Sequence, residues 1–70
     1  MDKYKVAIVD DDEVALENLS FELGKDARFF LKGTARNGKQ GKKLIAKVQP
    51  DLLFFDVELP DMTGMELLQE

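Results

Sequence analysis

Apolar residues come in short blocks separated by charged ones, and the spacing inside each block changes along the chain. Residues 6–9, Val-Ala-Ile-Val, form a brief β-favouring run that stops at four consecutive acids, Asp10, Asp11, Asp12 and Glu13. From Val14 the period lengthens: Ala15, Leu16, Leu19 and Leu23 recur at helical spacing, with Gly24 as a fitting stop. Residues 29–35 predict a second strand, interrupted by Lys32 and Gly33 and ended by an Asn37-Gly38 turn. Gly41, Leu44, Ile45 and Val48 then fall at i, i+3, i+4 and i+7, with Lys39, Gln40, Lys42, Lys43 and Lys47 turned away. This is the clearest amphipathic helix in the sequence, and Pro50 closes it. Residues 52–55, Leu-Leu-Phe-Phe, lie between Pro50-Asp51 and a Pro/Gly loop and read as a strand buried on both faces. Thr63 and Glu66 have the spacing of a capping box, and Met65, Leu67 and Leu68 supply apolar surface for a third helix, too short to persist without packing.

A βαβαβα order predicts a parallel sheet with right-handed crossovers. All strands then end on one edge, where ligands bind in open α/β sheets. Two of the three end there in aspartate: Asp56 follows residues 52–55, and Asp10 and Asp11 follow residues 6–9. Each has an ordinary explanation, Asp56 as a turn former and the acids after the first strand as caps at the positive end of a helix. Capping accounts for one or two acids better than for four.

Composition narrows the chemistry. Seventy residues make at most one domain, and a chain of this size buries only about 60% of its unfolded surface. With no cysteine and no histidine, disulfides, thiolate or zinc sites and most general-base catalysis are excluded, so any metal must be held by oxygen. No window approaches the ~18 apolar residues of a membrane span, and Met-Asp-Lys-Tyr-Lys lacks a signal peptide's apolar core, so a cytoplasmic protein with no membrane partner is expected. The net charge of −4 conceals an asymmetry: eight of the ten basic residues lie between Lys25 and Lys47, where Asp26 is the only acid. That stretch lacks interleaved aromatics and reads as the solvated face of a helix rather than a nucleic-acid surface. Phe29-Phe30, Phe54-Phe55, Met62 and Met65 read mainly as core.

If the first and third strands are neighbours, Asp10, Asp11 and Asp56 converge. Like charges so placed repel, and a cation is the simplest compensation. So few oxygen ligands suit a magnesium ion that keeps several waters better than calcium, which takes six to eight oxygens. A carboxylate beside such an ion can serve as the nucleophile of phosphoryl transfer, giving an aspartyl phosphate.

At this point the sequence resembles the receiver domain of two-component response regulators. The resemblance rests on the acidic pair in Val9-Asp10-Asp11, on Phe55-Asp56, and on the loop in which Pro60 and Gly64 follow Asp56 by four and eight residues. Asn37-Gly38 and Pro50-Asp51 also sit where the family has them, and the likeness spans the whole chain. It implies a flavodoxin-like parallel sheet, strand order 2-1-3 for the part present. It also implies Asp56 as phosphoacceptor and Mg²⁺ ligand, Asp11 as a direct Mg²⁺ ligand, Asp10 acting mostly through water, and the backbone carbonyl of Glu58 as a further ligand. The implied role is a switch phosphorylated by a sensor histidine kinase, not an enzyme that turns over substrate. Two positions of the family pattern, a Thr or Ser after the fourth strand and a Lys after the fifth, have no counterpart here. Residues 1–70 are therefore expected to be a partial receiver, truncated after three βα units, little phosphorylated alone and self-associating through the exposed third strand as a dimer or by element exchange. The wording around Asp56 is closest to receivers joined to LytTR-type DNA-binding domains, which would confine DNA contact to an effector domain beyond Glu70. Two other classes are a receiver-like module that binds a partner without phosphate, against which Asp10, Asp11 and Asp56 argue, and a haloacid-dehalogenase-like phosphohydrolase. The second wants Asp at the position of Glu58 and leaves the acids after the first strand unexplained.

Overall fold

The computed structural model describes residues 3–69. Six elements alternate: β1 (Tyr4–Val9), α1 (Glu13–Gly24), β2 (Phe29–Ala35), α2 (Gly38–Val48), β3 (Leu52–Phe55) and α3 (Gly64–Leu68). The strands make one parallel sheet in the order β2-β1-β3, as predicted.

β1 is the central strand, and its Val6, Ala7, Ile8 and Val9 are all buried. Full burial of a Val or Ile contributes about 1.5–3 kcal/mol. Alternation along the strand sends these side chains to two cores. Val6 and Ile8 pack with Leu16 and Leu23 of α1, while Val9 packs with Ala35, Leu59 and Leu67, joined by Leu44 and Ile45 of α2. α1 thus covers one face, and α2 and α3 the other.

The broken pattern of β2 has a structural cause. Its register with β1 moves from Val6↔Leu31 to Ala7↔Gly33, leaving Lys32 as an extra residue. Such a bulge reverses the alternation, so Leu31 faces α1 and Gly33 faces α2. There a Cβ on Gly33 would lie 2.7 Å from Leu44 Cδ1.

Several boundaries differ from expectation. β1 begins at Tyr4, whose N–H donates to the Arg28 carbonyl at 2.7 Å. Asn37-Gly38 is the start of α2 rather than a turn closing β2: Asn37 caps the helix by accepting from Gln40 N–H at 2.8 Å. α1 ends at Gly24 without left-handed backbone, whereas α2 ends on a left-handed Gln49 with φ 52°. β3 is not buried on both faces. Leu52 and Phe54 lie in register with Val6 and Ile8 on the α1 face, but α1 packs toward β2 and leaves Phe54 40% exposed. Phe30 and Met65 are also exposed rather than core, Phe30 lying under the Lys32 ammonium at 4.7 Å from its ring centre.

Candidate functional site

Register builds the site. Val9 of β1 pairs with Phe55 of β3, so the residues that follow them are neighbours, at the ~4.8 Å spacing of paired strands. The ladder runs one step past both strands: Asp10 N–H donates to the Ala35 carbonyl and Asp56 N–H to the Val9 carbonyl, each at 3.0 Å. Two aspartates are thereby pinned by backbone on the same sheet edge. Asp11 completes the group, and Asp10, Asp11 and Asp56 each offer a carboxylate oxygen within 4.8 Å of the others. Asp10 and Asp56 are half-buried and Asp11 is exposed. Among the described residues, none of the three forms an ion pair.

The acids after β1 divide their tasks. Asp12 is the N-cap of α1, accepting from Val14 N–H at 3.0 Å, and Glu13 lies in the first turn. Asp10 turns its Oδ1 toward Asp12 N–H at 3.0 Å. Capping therefore occupies Asp12 and Glu13, while Asp10 and Asp11 belong to the cluster.

The β3–α3 loop shapes the other side. Glu58 N–H donates to Asp56 Oδ1 at 3.3 Å, and Glu58 bridges to Thr63 across the loop. The Glu58 side chain is exposed and Pro60 lies at the exposed bend. Gly64 is buried, and its N–H donates to the Val57 carbonyl at 2.6 Å. A Cβ there would come within 2.6 Å of the Phe55 ring and 2.9 Å of the Asp56 carbonyl. Only glycine lets α3 start this close to the end of β3. The predicted capping box of Thr63 and Glu66 is present in full.

Two residues near the site escaped the sequence reading. Asp61 accepts hydrogen bonds from Gly38 N–H at 2.6 Å and Lys39 N–H at 3.0 Å. The Gly38 bond, with help from that of Lys39 and against some desolvation, holds the Asp61 carboxyl below the usual range. Its neighbour Met62 packs where a side chain on Gly38 would stand, 2.2 Å from the built Cβ position. Arg36 donates to the Asp11 carbonyl at 3.3 Å and stands 3.9 Å from Glu13. In sequence, the only signals were an acid inside the loop and a base just after β2.

An all-oxygen, partly open donor set with no neutralising side chain suits a hard cation that retains water, which is the magnesium pattern. The chain also has no histidine to act as a general base beside the cluster.

Comparison with known proteins adds the following. Residues 6–70 match the family described as "Response regulator receiver domain". Protein-glutamate methylesterase/protein-glutamine glutaminase of Geobacillus kaustophilus (strain HTA426) is 41% identical over 69 residues, which is 99% of this chain and 20% of that protein. Transcriptional regulatory protein BtsR of Escherichia coli (strain K12) is 36% identical over 64 residues, 91% of this chain and 27% of that protein. Among solved structures, the signal receiver domain of the response regulator NarL from Mycobacterium tuberculosis superposes with a TM-score of 0.91 at 25% identity, covering 96% of this chain and 54% of that one. The response regulator domain of Thermotoga maritima CheB shares the fold, with a TM-score of 0.89 at 24% identity, covering 94% and 49%. The chain thus spans about half the length of these structures and 20–27% of the two curated relatives.

These relatives correct two expectations. The assignment as a non-enzyme does not stand, because relatives as similar as 41% and 40% carry a methylesterase name. The lack of histidine and cysteine constrains only these 70 residues, while a longer protein can carry its catalysis elsewhere. The link to LytTR-type regulators is not supported either. Methylesterases and transcriptional regulators both match this stretch, so its wording does not discriminate among output domains.

Proposed function

The chain belongs to the response regulator receiver domain family, and from that premise we propose that it accepts a phosphoryl group on Asp56 from a phosphohistidine of a sensor kinase, with Mg²⁺ held beside the acceptor. The observation that carries this reading is the unpaired three-carboxylate cluster of Asp10, Asp11 and Asp56. Asp10 and Asp11, with the backbone carbonyl of Glu58, would hold the ion next to Asp56. When bound, the ion supplies charge neutralisation between the carboxylates and the incoming phosphoryl oxygens.

The chain's own residues supply the rest. An Asp56 oxygen bonds to phosphorus as the phosphorus–nitrogen bond of the donor breaks, the imidazole nitrogen keeping the electron pair. Asp56 is suited to this because its backbone is fixed by the Val9 carbonyl and its Oδ1 accepts from Glu58 N–H, which orients one oxygen and leaves the other free. Half-burial limits competing water. The test is intact-mass measurement of the protein carrying this chain after incubation with Mg²⁺ and acetyl phosphate. The expected result is one added phosphoryl group, lost on chelation and in Asp56→Asn; equal labelling of Asp56→Asn would overturn the assignment.

Residues 1–70 taken alone are further proposed to label weakly and to self-associate. The support for self-association is the outer edge of β3, which pairs only with β1 among the described residues and carries half-exposed Leu52 and Phe54.

A further inference from the structure

We propose that Asp61 is a positioning residue for the acidic site, strapping the β3–α3 loop to the start of α2 so that Glu58 and Asp56 keep the arrangement described above. The purpose of the site rests on the receiver reading; the strap is a matter of geometry.

The first N–H groups of a helix have no partner inside it. In α2 the local cap, Asn37, serves Gln40 N–H. Gly38 and Lys39 are served instead by Asp61, which lies 23 and 22 residues further along. Hydrogen bonds to an ionised carboxylate are roughly twice as strong as neutral ones, and two converge on one side chain. Met62 adds contact by filling the space over Gly38.

The loop's other backbone hydrogen bonds stay within it or run to the end of β3, while Leu59 is seated in the core with Val9, Ala35 and Leu67. Leu59 N–H donates to the Met62 carbonyl at 2.9 Å, and Gly64 N–H to the Val57 carbonyl at 2.6 Å. The Glu58–Thr63 bridge closes it further. Asp61 is the loop's hydrogen-bonded attachment to α2 among the described residues. Losing it lets the loop's own closing bonds open more readily and displaces Glu58, whose N–H orients the Asp56 carboxylate. Asp61 stands outside the Asp10, Asp11 and Asp56 cluster, so its effect on the site passes through Glu58.

The experiment compares Asp61→Ala, Asp61→Asn and Asn37→Ala with the parent protein. Asn37→Ala is the control, since it removes the bond to Gln40 N–H at the same helix end and leaves both Asp61 bonds in place. Two quantities are read: hydrogen exchange at the Leu59 and Gly64 amides, and MgCl2 affinity by titration calorimetry. In Asp61→Ala, exchange at both amides should quicken by about tenfold and Mg²⁺ affinity should fall several-fold. Asp61→Asn, which keeps one acceptor, should fall between, and Asn37→Ala should leave both quantities at parent values. Parent-like exchange in Asp61→Ala, equal changes in Asn37→Ala, or faster exchange with unchanged Mg²⁺ affinity would each overturn the proposal. A parent protein that takes up no Mg²⁺ would instead overturn the receiver reading, and the exchange measurements would still decide the strap.

Discussion

Single carboxylates carry most of what is specific here, and their neighbours decide what each does. Asp11 is exposed and lacks a hydrogen-bonded role for its side chain among the described residues, so Asp11→Asn should leave stability nearly unchanged. It should nevertheless lower Mg²⁺ affinity by about tenfold or more, on the scale at which metal-site residues tune binding; calorimetric titration would show this. Asp26 behaves differently. Its carboxylate accepts from the Arg28 side chain and backbone, and these bonds lower its pKa to about 2. A carboxyl lowered on folding stabilises above its unfolded value and loses that contribution as pH falls through the folded value. Denaturant midpoints of the parent and Asp26→Asn should therefore differ near neutral pH and converge between pH 3.8 and about 2. Asp10, Asp11, Asp56 and Gly64 were legible in sequence because each lies next to a strand end or at a fixed step from one. Asp61 was not, since its partners stand on another helix and only the folded loop path reveals them.

At the level of elements, the two glycines at helix ends are opposites. A side chain at Gly64 would strike backbone and the Phe55 ring, whereas nothing lies within 4 Å of one at Gly24. Gly64→Ala should cost about 1–3 kcal/mol by overpacking, while Gly24→Ala should be neutral or stabilise by up to about 1 kcal/mol. Thermal unfolding of the two variants would separate these outcomes. Helices were readable from spacing because Leu16 and Leu23, or Gly41 and Leu44, repeat on one face. β2 was harder, because alternation presumes an unbroken register and the extra Lys32 breaks it. At the start of α2, Asn37-Gly38 read as a turn because the same residue pair that favours turns also serves as a helix cap and first residue.

For the whole molecule, strand order followed from the alternation of elements and the family likeness, and the acidic cluster followed from the order. Coverage of β3 did not, because apolar content says how much a strand can bury but not which neighbour reaches it. Leu52→Ser together with Phe54→Ser should shift any self-associated population toward monomer in sedimentation velocity, since the two side chains share the uncovered face. The central position of β1 has a different consequence during synthesis. The strand made first is the one that needs both neighbours, and the second of these is complete only at Phe55, 46 residues after Val9. At ribosomal rates that interval is roughly 2–9 s, during which β1 is first unpaired and then, once β2 is made, half-paired. Emerging chains should thus be most vulnerable to chaperone capture in this window, before the acidic site exists at all.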